Sequence, residues 1–316
     1  MKMEIRKMEQ LDMIHGMTFY IESDRDRTLN EDSIKTSLKI MQEETGANTT
    51  MISFATWMNT AHSESFDWHQ DTPDDELLRH VISYAKEVLG LRVFLKPMIN
   101  CHDGQWRAYI SFLDHGSGTE GTWQNWFACY GDYMNYYADL AEETGCELLM
   151  VGCELVMSEH CESLWRTLIA NVRRHYHGLI SYNTDKYQEE WVNWWDAVDV
   201  ISSSGYYPLG TWSENLQRIK ETVEKFQKPF FFAECGCPSR HGSSSLPNDW
   251  TKQGALDLEE QKDYFEDMLS ALSEADWVRG CVIWSWNADD VYYASENDSY
   301  SVYHKPAAKV LKQHWD

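Results

Sequence analysis

Two glutamates stand where catalysis could take place. Glu154 follows the apolar run LLMVGC, and Glu234 follows KPFFFA; the sequence holds no other pair of this kind. Two carboxylates facing one pocket can bind a divalent metal, share a proton as a dyad, or flank a glycosidic bond as acid and nucleophile. A metal would require further His or Asp ligands. The neighbouring strand ends carry none, and H-E-x-x-H is absent. A pair of buried salt bridges, to an Arg or to Lys96, is the purely structural alternative. Glycoside hydrolysis also needs an aromatic floor under the sugar, which Trp284 in the run CVIWSW could supply.

The elements that must position these residues alternate in type. Strands are expected at 14–20, 49–55, 92–97, 148–153, 178–183, 198–209, 228–235 and 281–286. Helical periods fall near 31–45, 72–90, 122–144, 159–176, 188–197 and 211–227, and again after about 255 with Tyr264, Phe265, Met268, Leu269 and Leu272 inward, before a short C-terminal helix. Thr72 reads as an N-cap with Pro73 in the first turn, and Asp257 with Glu260 as a capping box. The strands are too apolar to face water on either side. Eight β–α units in one chain without a Pro- or Ser-rich linker favour a closed (β/α)8 TIM barrel, a single domain over 1–316, against an open doubly wound sheet. In such barrels the active site lies at the C-terminal strand ends, where Lys96, Glu154, Tyr206, Tyr207 and Glu234 fall. Long connections at about 98–121 and 236–255 suggest functional loops.

Composition removes several function classes. The 316 residues include 27 basic and 51 acidic side chains, a net charge of −24. That surface would repel nucleic acid and anionic lipid, so neither is expected as a partner. No apolar run approaches the ~18 residues of a membrane span. The first residues, MKMEIRKMEQLDMIHG, lack the apolar segment of a signal peptide, which implies a cytoplasmic protein. In that setting the eight cysteines read as free thiols. With 15 Trp and 17 Tyr the chain is rich in flat rings, which suit sugars as well as packing.

The ordered motifs LKPMI, GQWRAYI, VGCEL, GYYPL and FFAECG resemble glycoside hydrolase family 113, within the retaining hydrolases of clan A. The similarity runs over about residues 14–290. It implies cleavage of β-1,4-mannosidic bonds in mannan or manno-oligosaccharides by double displacement, without metal or cofactor. By position, Glu154 would be the acid/base and Glu234 the nucleophile. Tyr206, or less readily Tyr207, would hydrogen-bond the nucleophile, and Trp284 would floor the sugar. Lys96, Asn100 and Trp106 would lie in the substrate cleft. Most clan A enzymes place Asn before the acid/base, whereas this chain has Cys153, so the contact made to the sugar 2-hydroxyl must come from elsewhere.

An intracellular enzyme would meet imported oligosaccharides, which favours exo-acting release of mannose. Endo-cleavage of mannan, hydrolysis of other β-glycosides and a silent sugar-binding barrel are the alternatives. Cys235 and Cys237 form a C-x-C without the spacing of a zinc site. His102 and His115 are the histidines placed to reach a cleft. Trp191, Trp194 and Trp195 read as packing residues, and Trp68 as a candidate cleft wall.

Overall fold

A computed structural model of the chain describes residues 11–22, 29–112, 122–293 and 297–316. Eight parallel strands close into a barrel in sequence order: β1 (Ile14–Tyr20), β2 (Thr49–Met58), β3 (Arg92–Cys101), β4 (Leu148–Cys153), β5 (Leu179–Thr184), β6 (Val200–Ser204), β7 (Phe230–Cys235) and β8 (Val278–Asn287). The helices α1 (Glu31–Thr45), α2 (Asp75–Ser83), α3 (Trp123–Thr144), α4 (Glu162–His175), α5 (Trp212–Phe226), α6 (Leu258–Glu274) and α7 (Pro306–Trp315) surround it. The expected TIM barrel is therefore the fold. Among the described residues, no helix is long and apolar enough to cross a membrane.

Local sequence explains most element ends. Asn30 caps α1, and Gly46 ends it in the left-handed region at φ 73°. The expected cap at Thr72 is wrong: Asp74 accepts from the N–H groups of Glu76 and Leu77, while the Thr72 hydroxyl donates to the Trp68 carbonyl. The capping box at α6 is half formed. Asp257 caps Glu260, but the Glu260 carboxylate accepts from Gly242 and Ser244 in the preceding loop. The expected helix at 188–197 is a series of turns ending in the 3-10 turn Trp195–Ala197. Its Trp194 and Trp195 are buried and donate to the Glu159 and Glu189 carbonyls, whereas Trp191 is exposed.

β3 continues past Pro97, because β2 pairs with it as far as Met58–Cys101. On the other edge β4 pairs only with Phe94 and Leu95, so beyond them the strand bonds on one side, where proline is tolerated. The long connection thus starts after Cys101, not at 98.

The barrel interior is a layer of Ile14, Met51, Phe94, Leu148, Met150, Val200, Phe231, Ala233 and Val282. Outside it, the strands and helices share a larger core. Much of the aromatic content resides there: Trp126, Trp165, Trp194, Trp195, Trp212 and Trp286 are fully buried, so these rings serve packing and not sugar. Trp68 likewise packs edge-on against Phe66 and Tyr133. All eight cysteines are free, and Cys235 and Cys237 are buried.

Candidate active site

Strict alternation would misdirect Glu234. Phe231 and Ala233 point into the barrel, so the next residue should point outward. Register shifts on both sides of β7, between Ser203 and Ser204 and between Phe232 and Cys235, reverse this. A bulge of this kind re-aims a side chain at a strand end. A similar shift lies between Met150 and Cys153 on β4. Glu154 then leaves the strand with φ 53°, its N–H donating to the Asn183 carbonyl at 2.7 Å. That left-handed backbone costs about 1–2 kcal/mol for a residue with a Cβ. Before it, Gly152 permits close approach of the outer layer: a Cβ there would lie 2.8 Å from the Tyr182 ring and 2.9 Å from Trp165.

Both carboxylates are nearly excluded from solvent, Glu154 at 7% and Glu234 at 5% exposure. Glu234 Oε2 accepts from the Tyr206 hydroxyl at 2.9 Å. Its Oε1 accepts from the Lys96 ammonium and from the Cys153 thiol, the latter at 3.3 Å. Tyr207 is directed elsewhere, to Glu189 at 2.8 Å. Glu154 Oε1 accepts from Ser204 at 2.6 Å, and Oε2 accepts from the Trp106 indole at 3.3 Å.

A chain of hydrogen bonds joins the two acids. Lys96 donates to Asn183 Oδ1 at 2.7 Å, and Asn183 Nδ2 donates to the Thr184 carbonyl at 2.8 Å and to Ser204 Oγ at 3.0 Å. The amide orientation follows from its partners, since Lys can only donate and a carbonyl can only accept. Ser204 accepts from Asn183, so its own proton goes to Glu154 Oε1. Both oxygens of Glu154 thus accept a hydrogen bond, from Ser204 at 2.6 Å and from Trp106 at 3.3 Å.

The surroundings separate the two acidities. Burial raises Glu154 above the ordinary carboxyl value, and the charge of Glu234 adds to it; Arg107, Ser204 and Lys96 pull the other way without cancelling it. Burial would also raise Glu234. There the charges of Lys96 and Arg107, with hydrogen bonds from Lys96 and Tyr206, outweigh it and hold the group below its ordinary value. One carboxyl is kept as an acid and its neighbour as an anion, the division that acid and nucleophile require.

A cavity of about 370 Å³ opens among Tyr20, Trp57, Asn100, Arg107, Trp284 and Tyr300. The Trp284 ring lies 5.9 Å from the Lys96 ammonium, which ties the cavity to Glu234. Thus Asn100 and Trp284 line the cavity, and Trp106 touches the acid. Lys96 has no exposed surface and lies beneath Glu234, instead of lining the cleft. His102 is exposed and stacks at 5.1 Å on Trp57, a cavity-lining ring; His115 lies outside the described residues.

Sequence reasoning passed over Arg107, Asn183 and Ser204. Arg107 sits inside the quoted motif GQWRAYI, and Asn183 and Ser204 end β5 and β6; polar residues at strand ends were the available signal. Among the described residues one cluster has the geometry of a metal site, His241, Asp257 and Glu260, with ligand atoms within 4.8 Å. It joins the loop after β7 to the start of α6, where both carboxylates already accept backbone N–H groups.

A closed parallel barrel with two differently tuned glutamates at the ends of β4 and β7 defines a (β/α)8 glycoside hydrolase. The sequence profile of glycoside hydrolase family 113 matches residues 17–305, and the chain belongs to that family. Among solved structures, it is similar to a family 113 β-1,4-mannanase at 45% identity and a TM-score of 0.91, covering 96% of this chain and 99% of that one. A complex of a family 113 β-1,4-mannanase gives 44% identity and 0.91, with the same coverage. The β-mannanase AaManA from Alicyclobacillus acidocaldarius, in complex with ManMIm, gives 37% identity and 0.90 over 98% of both chains. No curated protein matches.

Proposed function

We propose that this enzyme hydrolyses β-1,4-mannosidic bonds in mannan or manno-oligosaccharides with retention, using Glu234 as nucleophile and Glu154 as acid/base. The observation that carries the reading is the opposed tuning of the two glutamates across one hydrogen-bonded chain. The similarity to enzymes described as β-1,4-mannanases supports the choice of substrate.

In the first step Glu234 attacks the anomeric carbon while protonated Glu154 donates its proton to the departing oxygen. Tyr206 and Lys96 fix the two oxygens of the nucleophile. Forming the glycosyl ester removes the charge of Glu234, one of the influences that raise Glu154, so Glu154 ionises more readily and is available as the base for the incoming water. Trp284 floors the sugar, and Asn100 and Trp106 complete the cleft around it.

A product time course on reducing-end-labelled mannohexaose tests this, with cellohexaose as control and the anomeric configuration read by NMR. The reading predicts cleavage of mannohexaose and a first-formed β-anomer. Mannose appearing first, with labelled products shortening one unit at a time, marks exo action; early mannobiose and mannotriose mark endo action. Cleavage of cellohexaose alone, or a first-formed α-anomer, overturns it.

A further inference from the structure

The 2-hydroxyl is carried by the carbon bonded to the one that Glu234 attacks, so it must come to rest close to that carboxylate. Hydrogen bonds to it strengthen in the transition state of retaining hydrolysis. Most donors around Glu234 are already engaged. Tyr206 is held by Oε2, and Lys96 lies fully buried against Asn183 and Glu234. The Cys153 thiol points at Oε1 and is a weak donor in any case.

Arg107 differs from all of these. It follows Trp106 at the start of the 3-10 turn Arg107–Tyr109, so one short segment touches both the acid and the nucleophile's neighbour. Its Nη1 donates to two sulfur atoms, Met98 Sδ at 3.1 Å and Cys153 Sγ at 3.2 Å. Its Nε is buried without a partner among the described residues, and other parts of the side chain line the cavity. A guanidinium carries five N–H donors, and sulfur is a poor acceptor for them. An arginine held mainly by sulfur beside a sugar-sized cavity keeps its strongest hydrogen-bonding capacity for an oxygen that is not part of the protein.

We propose that Arg107 donates to the 2-hydroxyl of the sugar under attack and supplies the contact that Cys153 cannot make. The hydroxyl accepts from Arg107 and turns its own proton toward Glu234. The C2 configuration, axial in mannose and equatorial in glucose, is then read by a charged donor fixed on the β3 side of the barrel. This rests on the retaining-mannosidase reading above.

The test is a cycle between protein and substrate. Wild type, Arg107→Met and Arg107→Lys are assayed on an aryl β-mannobioside and on its analogue lacking the 2-hydroxyl at the cleavage point, with melting temperatures taken alongside. Because the Arg107 charge also helps to keep Glu234 ionised, Arg107→Met should lower kcat/KM on both substrates, and the expected result is a loss about 10-fold or more greater on the hydroxylated substrate than on the deoxy analogue. Arg107→Lys, which keeps a charge and a donor, falls between and guards against a folding defect in the first variant. Equal losses on both substrates, or no loss on the hydroxylated one, overturn the assignment of Arg107. No turnover of the hydroxylated substrate by wild type would instead strike the mannosidase reading on which it rests.

Discussion

The Ser204 hydroxyl donates to Oε1 of Glu154 at 2.6 Å while it accepts from Asn183 Nδ2 at 3.0 Å. This bond favours the ionised acid and so lowers its pKa. The proposed mechanism requires Glu234 ionised and Glu154 protonated, so kcat/KM should fall on the acid side with Glu234 and on the basic side with Glu154. Ser204→Ala should move the basic limb upward by about 0.5–1 pH unit and leave the acid limb in place. A pH–rate profile of both enzymes checks this.

Lys96 and Glu234 form a buried ion pair. Removing the cation leaves an uncompensated buried carboxylate, a change that costs about 3–5 kcal/mol of stability in comparable sites. It also raises the nucleophile's pKa, since the Lys96 charge is the largest influence lowering it. Lys96→Met should therefore melt lower, shift the acid limb up, and lose about 1,000-fold or more in kcat. Calorimetry and a pH–rate profile on the same preparation measure both effects.

These two predictions rest on residues of unequal visibility in the sequence. The barrel was legible because apolar runs and helical periods alternate so regularly, and α1 with its Gly46 stop was readable to the residue. Glu154 and Glu234 were legible as carboxylates ending apolar runs. The bulges that turn Glu234 inward were not, because a register shift leaves no mark in a single sequence. Nor was the role of Lys96, since whether a strand-end lysine lies in a cleft or under it depends on its neighbours across the barrel. Asn183 and Ser204 are ordinary residues until β5 and β6 are set side by side, with Asn183 opposite Ser202. The Trp-rich turns at 188–197 mimicked helical spacing while their rings filled the outer core.

Glu159 gives a stability signature independent of catalysis. Burial pushes its pKa up to about 8, with the charges of Asp185 and Glu189 adding and hydrogen bonds from Thr184 and Tyr182 opposing. Between its ordinary value of 4.5 and about 8 the folded state holds a proton that the unfolded chain has lost. Its contribution is therefore complete below about pH 4.5 and declines as pH rises toward 8. Thermal unfolding of wild type should fall over that range, and Glu159→Gln should flatten the fall by roughly 2–5 °C at pH 8. An unchanged slope would mean that Glu159 is ionised in the folded protein.

Glu154→Ala should affect the two chemical steps differently. With a dinitrophenyl leaving group no proton is needed, so the glycosylation step should survive while hydrolysis of the ester slows by about 100-fold or more. Added azide, which needs no general base, should restore turnover and yield a β-mannosyl azide. Loss of both steps without rescue would assign Glu154 another role.

The most direct test of the central claim is to trap the glycosyl-enzyme. Incubation with a 2-deoxy-2-fluoro-β-mannosyl fluoride, followed by intact mass measurement and peptide mapping, should show one fluorosugar per chain, attached to Glu234. A label on any other residue, or no covalent adduct while mannohexaose is still cleaved, would contradict double displacement through Glu234.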